Sequence, residues 1–236
     1  MNLKIKKYVI FLNGYHNFSP IQVICSQIKS TDFKKNHFDT LYVADGGLNH
    51  ILQNKVSYQN IIWSGDSDSL NNKSKKYLDN SSLCYNNQKS KSSPLEKILL
   101  VKNKNFNDFS VLLDRILKEA TEHQVFLEIF YGLGGRRDHE VANILEVERF
   151  ICKIPLGGIC YFHGGVIISS IEFDILKANK MLFSVFIRGT RGSLDISGAE
   201  FNGHFLLERP SHGLSNKALG QKISIKPIES VISVYF

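Results

Sequence analysis

Short apolar runs that stop at glycine, asparagine or aspartate, with helical spacing between them, restrict this chain more than any other feature. Tyr8–Leu12 ends at Asn13-Gly14, Thr40–Ala44 ends at Asp45-Gly46-Gly47 and leads into a helix-like Leu48–Leu52, and Asn60–Ser64 ends at Gly65-Asp66. Ile98–Val101 reads as a fourth run and Val125–Tyr131 as a fifth, the latter ending in a glycine-rich turn. Between and after them, Phe109–Ala120 carries Phe109, Leu112, Leu113, Ile116 and Leu117 at helical spacing, and Val141–Ile151 reads as a further helix. Strands alternating with helices predict an α/β fold: a parallel sheet with helices on both faces. Ligands of such sheets bind beyond the C-terminal strand ends, where Asp45, Asp66 and Gly134-Gly135 fall.

From Gly157 onward the pattern changes to short alternating stretches broken by glycine: Ile159–Phe162, Val166–Ser169, Met181–Ile187, Gly192–Ile196, His204–Leu207, Lys222–Ile225 and Ser230–Phe236. That spacing predicts an antiparallel β-sandwich. The expected division is residues 1–153 for the α/β domain and 157–236 for the sandwich, and Asn71–Pro94, rich in Asn, Lys and Ser, is expected to be a loop with room for a short helix. The 236 residues suffice for one large domain or two modest ones.

Composition removes several functions. No apolar run approaches the roughly 20 residues of a membrane span, and Tyr8–Leu12 is too short for a signal core, so it reads as a strand. The net charge of +7 comes from lysines scattered among Asn and Ser. No basic stripe with interspersed aromatics of the kind that reads nucleic acid is present. The 8 histidines lack zinc-ligand spacing, and the 4 cysteines form no C-x-x-C pair, which fits reduced thiols in a cytoplasmic protein.

Three motifs carry chemistry. In Gly65-Asp66-Ser67-Asp68-Ser69 two carboxylates two residues apart can converge on one hard cation such as Mg2+, or can cap a helix. In Gly132-Leu133-Gly134-Gly135-Arg136-Arg137-Asp138-His139 the glycines let backbone N–H groups approach phosphate oxygens, and arginine offers a planar fork; the plainer reading is a tight turn with a surface ion pair. Asp45-Gly46-Gly47 places a third carboxylate at a strand end, or caps the next helix.

Taken in order, ADGG (Ala44–Gly47), GDSDS (Gly65–Ser69), the Asn107-Asp108 pair, GGRRDH (Gly134–His139) and GLSN (Gly213–Asn216) resemble the thiamine pyrophosphokinases over nearly the whole chain. The resemblance implies an ATP-binding α/β domain, a thiamine-binding β-sandwich, and a homodimer with active sites at the subunit interface. It implies Mg2+ held by Asp66, Asp68 and Asp108. Asn13, Asp45, Gly46, Gly135, Arg136, Asp138 and His139 match the nucleotide side, with Asp66, Asp68, Asp108 and Arg136 as the catalytic set. Asp45, Ser215 and Asn216 match the thiamine side, the last two reaching the partner's cleft. The implied reaction moves diphosphate from ATP to thiamine; the alternatives are a related alcohol such as a pterin, or a thiamine- or nucleotide-binding protein with weakened chemistry. The departures lie where the family has D-x-T-D-x-x-K: here Asn105, Asn107 and Val111 replace the first acid, the threonine and the lysine, and Lys104 or a lysine of the preceding loop is a candidate substitute for the last.

Overall fold

The computed structural model describes residues 4–15, 21–32, 34–83, 95–99 and 107–236. In chain order the elements are β1 (Ile5–Phe11), the short pair β2 (Gln22–Cys25) and β3 (Ile28–Lys29), β4 (His37–Ala44), α1 (Gly47–Asn54), β5 (Ser57–Gly65), α2 (Asn72–Leu83), β6 (Leu95–Leu99), α3 (Asp108–Glu119), β7 (Gln124–Phe130) and α4 (Arg137–Ile151). They continue with β8 (Gly158–Phe162), β9 (Val166–Ser169), β10 (Phe173–Leu176), β11 (Leu182–Ile187), β12 (Gly192–Ser197), β13 (Gly203–Leu207), a 3-10 turn at Pro210–Gly213, β14 (Asn216–Lys217), β15 (Lys222–Ile228) and β16 (Ile232–Tyr235).

One sheet runs β14-β11-β16-β9-β8-β7-β1-β4-β5-β6. The six strands from β8 to β6 are parallel, and the other four are antiparallel. Alternation along β1 assigns its two faces. Tyr8 and Ile10 join Leu112, Leu113 and Ile116 of α3 and Val147, Phe150 and Ile151 of α4 in one core. Val9 and Phe11 join Leu48 and Ile51 of α1 and Leu78 of α2 in another. Burial on both faces is why these strands read as near-continuous apolar runs.

The second sheet, β13-β12-β15-β10-β2-β3, is antiparallel. Its Val23, Ile175, Leu194, Ile223 and Ile225 pack against Phe126, Tyr161, Ile167, Val185 and Val234 of the long sheet. The α/β half and the β-rich C-terminal part are therefore as the sequence reads them. The sheets, however, do not respect the stretch 153–157: β8 pairs in parallel with β7, and β2 pairs with β10. The β2–β3 excursion is absent from the sequence reading because two strands this short carry too little alternation to stand out.

Charge is buried where β3 returns to the long sheet. The Glu128 carboxylate accepts from the Thr31 backbone N–H (2.6 Å) and hydroxyl (2.7 Å). It also pairs with Lys7 Nζ (2.6 Å) and His163 Nε2 (2.8 Å), while Lys7 donates to the Lys29 carbonyl (2.8 Å). Burial alone would raise the Glu128 carboxyl, but His163 and Lys7 outweigh it and hold the group below the usual carboxylate range.

Two expectations need amendment. The first half of the presumed loop Asn71–Pro94 is the 12-residue helix α2, with Asn71 accepting from Ser74 N–H at its start; residues 84–94 lie outside the described residues. Among its described side chains the inward face rests on Ser74, Tyr77 and Leu78, too sparse an apolar stripe to read from spacing. The fourth run is β6, Leu95–Leu99, and Val101 lies outside the described residues. Among the described residues no helix is long and apolar enough to cross a membrane.

Candidate active site

Parallel pairing brings the ends of β7, β1, β4 and β5 to one rim, side by side. The chain leaves β1 for β4 on one flank, and β7 lies on the other, so the rim opens at a change of winding direction, the usual crevice for a ligand. Asn13-Gly14 follows β1 in the middle, Asp45-Gly46-Gly47 follows β4, Gly65–Ser69 ends and follows β5, and Tyr131–Arg136 follows β7. The turns touch one another: Gly14 N–H donates to the Tyr131 carbonyl (2.6 Å) and Tyr15 N–H to the Leu133 carbonyl (3.0 Å). A Cβ on Gly46 would lie 2.4 Å from the Asn13 amide carbon, so a larger residue there would displace the Asn13 side chain.

Asp45, Asp66 and Asp68 converge, with one carboxylate oxygen from each lying within 4.8 Å of the other two. Asp45 is 8% exposed and organises the loop that carries the other two. Its carboxylate accepts from Ser67 N–H (3.1 Å) and Ser69 N–H (3.3 Å), and its carbonyl from the buried Trp63 indole (3.0 Å). Gly65 is held between them: a Cβ there would meet the Trp63 ring at 2.7 Å and Asp45 Oδ1 at 2.8 Å. Asp68 N–H donates to Asp66 Oδ1 (3.2 Å), and the Ser69 hydroxyl to Asp68 Oδ1 (3.0 Å). Asn49 of α1 ties down the far end, donating to the Ser69 carbonyl (3.0 Å) and accepting from Asn71 N–H (3.1 Å). Burial raises the Asp45 carboxyl above the usual range, Ser69 lowers it, and the charges of Asp108 and Asp68 raise it further. Asp108 is thus near enough to act on Asp45, though it is not part of the convergent group.

The turn after β7 carries its own anions. Arg136 and Asp138 form a two-pronged ion pair, Nε–Oδ1 3.1 Å and Nη2–Oδ2 2.5 Å, at the exposed N-terminus of α4. That pairing holds the Asp138 carboxyl below its ordinary range and the Arg136 guanidinium above its own. Gly134 N–H donates to the Glu140 carboxylate. Tyr131, Gly134 and Gly135 all have positive φ (57°, 80° and 96°), and the Tyr15 ring lies over Gly135. His139 is exposed, its N–H donating to the Arg136 carbonyl (3.1 Å).

Ser215 and Asn216 lie elsewhere. β14 is seven strand positions from β4 in the long sheet, roughly 30 Å at the usual strand spacing. Asn216 is buried and used within the chain: its oxygen accepts from Phe201 N–H (3.0 Å) and Lys217 N–H (2.8 Å), and its amide donates to the Phe201 carbonyl (2.9 Å). Ser215 is exposed with φ 59°. Beside them a cavity of about 200 Å³ is lined by Phe201, Phe205, Leu207, His212, Leu214 and Asn216, among others.

Comparison with known proteins gives the family and the fold. Residues 33–154 match the family described as thiamin pyrophosphokinase, catalytic domain. The chain belongs to the thiamin pyrophosphokinase family. The fold is shared with the crystal structure of thiamine pyrophosphokinase from Bacillus subtilis (TM-score 0.66, 17% identity, 97% of each chain covered). It is shared also with a thiamin pyrophosphokinase family protein from Enterococcus faecalis (0.63, 15%, 98% of this chain and 97% of that one). Thiamin pyrophosphokinase from Candida albicans has it too (0.61, 15%, 97% and 88%). No curated protein sequence matches.

For a thiamin pyrophosphokinase family member, the departures around Asp108 now have positions. Asn107 is the N-cap of α3, its side chain accepting from Ser110 N–H (2.7 Å), a role asparagine fills at least as well as threonine. Asp108 opens that helix, where a negative charge also suits the helix dipole. Val111 lines the groove between α3 and α4, alongside Asp114, Arg115 and Arg149. Asn105 and Lys104 lie outside the described residues. Sequence reasoning missed Asn49 and the loop-building part of Asp45. A polar residue one helical turn after a strand-end acid is the only signal, and it is a common one.

Proposed function

We propose that the chain transfers the terminal diphosphate of ATP to thiamine, giving thiamine diphosphate and AMP. The supporting observation is the convergence of Asp45, Asp66 and Asp68 within 4.8 Å at a rim that also carries the glycine turn and Arg136. Crowded hard oxygen donors, one of them with its acidity suppressed by burial and by neighbouring acids, suit Mg2+. Asp66 and Asp68 would hold the ion, with Asp108 as the third acid contributed from α3 and Asp45 behind them shaping the loop. Once bound, Mg2+ neutralises charge on the phosphate oxygens.

The residues of the chain do the positioning. Asn13, Gly46, Gly135 and His139 line the nucleotide side, and Arg136 exchanges its fork from Asp138 to the transferred diphosphate. Thiamine's primary hydroxyl attacks the β-phosphorus in line, AMP leaves, and Asp68 or Asp108 accepts the hydroxyl proton. Positioning and electrostatics carry such transfers. Ser215 and the apolar cavity beside Asn216 receive thiamine. Their distance from the same chain's acids favours a homodimer in which each loop completes the partner's site, and exposed Phe201, Leu182, Leu214 and Leu219 around that loop supply an apolar surface for it. The setting proposed for this chemistry is the cytoplasm.

The test is one assay: thiamine plus Mg-ATP, scored for AMP and thiamine diphosphate. Both products at equal rates support the proposal. Binding without AMP release would favour a weakened binding protein, and AMP release only with another alcohol, such as a pterin, would reassign the substrate.

A further inference from the structure

His50, on α1, is assigned no role above. Its ring lies flat on Tyr131, with centroids 3.7 Å apart and planes 3° from parallel. Tyr131 holds φ 57°, a conformation that costs a bulky side chain free energy and persists only where the surroundings fix it. Three contacts do so. The His50 ring covers one face, Asn54 Nδ2 donates to the tyrosine hydroxyl (3.2 Å), and Gly14 N–H donates to the tyrosine carbonyl (2.6 Å). The same Asn54 amide donates to the His50 carbonyl (2.8 Å), so α1 grips Tyr131 at two points.

The place of this stack gives it significance. Tyr131 is the last residue before the Gly132–Gly135 turn, and α1 begins directly after Asp45. The stack therefore ties the helix behind the acidic group to the turn that faces the polyphosphate. The rings continue beneath the cleft: Tyr131 to Phe11 (6.3 Å), Phe11 to Phe130 (5.1 Å) and Phe130 to His163 (4.0 Å). Space-filling alone is the plain alternative, but it explains neither the left-handed Tyr131 nor the shared Asn54 clamp. Burial lowers the His50 pKa, while a hydrogen bond to the Gly14 backbone opposes that shift; His50 Nε2 is buried with no hydrogen-bond partner among the described residues. The ring thus turns a flat face to Tyr131 and its other nitrogen edge to the Gly14 backbone.

We infer that His50 is a positioning residue: its ring fixes Tyr131, and through it the Gly132–Asp138 turn, in the form that receives the polyphosphate of ATP. This rests on the nucleotide reading of that turn. Two readouts on the full-length chain test it. In the ligand-free protein, His50→Ala is expected to speed amide hydrogen exchange at 132–136 at least fivefold and leave β1 and β4 unchanged, while His50→Phe, which keeps a flat ring, is expected to stay within twofold of wild type. In the AMP-release assay, His50→Ala raises KM for Mg-ATP at least fivefold with kcat within twofold, and His50→Phe restores it. Wild-type exchange in the His50→Ala turn, an unchanged KM, or failure of phenylalanine to restore either readout overturns the inference. Absence of AMP release from the wild-type chain would count against the activity itself, and the exchange measurement would still decide whether His50 holds the turn.

Discussion

Asp66 and Asp68 were legible as candidates because two acids two residues apart after a strand can either share a cation or cap a helix, and here they converge with Asp45. Asp45 was legible as an acid at the same rim, but not as the acceptor for Ser67 and Ser69 N–H groups, since nothing local links residues so far apart in the chain. Asp66→Asn is expected to cut AMP formation at least about tenfold, because it removes part of the charge that holds the ion; wild-type turnover with an unchanged Mg2+ requirement would reject that role. The crowding of acids that raises Asp45 also predicts how the metal acts on stability. Mg2+ at about 100 times its Kd should add about 2.7 kcal/mol. The gain should appear near pH 7 and shrink at lower pH, where the raised Asp45 carboxyl takes up its proton. Thermal melts with and without Mg2+ check this, and the Asp66→Asn protein should show a smaller shift in both pH ranges.

Elements with a dense apolar stripe declared themselves, and those held mainly by polar contacts did not. α3 was readable from Phe109, Leu112, Leu113 and Ile116, all buried. α2 has few such residues and is fastened partly from outside, by Lys97 donating to the Leu78 carbonyl. The start of α3 shows how a departure from the family pattern can be neutral. Asn107 caps the helix through Ser110 N–H, so Asn107→Ala should cost about 1 kcal/mol in urea unfolding and Asn107→Thr far less. If Asn107→Thr were as damaging as alanine, the cap would not be what asparagine supplies.

At the scale of the whole molecule, the order of the sheet was partly readable and its continuity was not. Alternating runs imply parallel neighbours, but no local pattern says that β8 will pair with β7 or that β2 will leave for the other sheet. Glu128 secures that departure by gathering Thr31, Lys7 and His163. Glu128→Ala should cost about 3 to 5 kcal/mol, since it leaves Lys7 poorly paired in a largely buried place. The sign of its pH dependence follows from its depressed carboxyl. The stability it contributes is complete above the ordinary value of 4.5 and is lost as pH falls through the lower folded-state value. Acid unfolding of Glu128→Gln, followed by circular dichroism, should accordingly be less steep than that of the wild type. The distance between Ser215 and the acids predicts complementation: mixing Asp66→Asn with Ser215→Arg, each at least about tenfold impaired alone, should restore about a quarter of wild-type activity if protomers exchange and each site is shared. An inactive mixture containing demonstrated heterodimers would place both halves of the site in one chain. The ten-strand sheet bears on how the protein can move at all. Strands that share one ladder of backbone bonds cannot swing as separate jaws around a hinge. A ligand bound at the rim would therefore be enclosed by adjustment of the turns and not by movement of the sheet. A chain cut at residue 155 would leave β7 as a bare edge, with its hydrogen-bonding groups open to self-association.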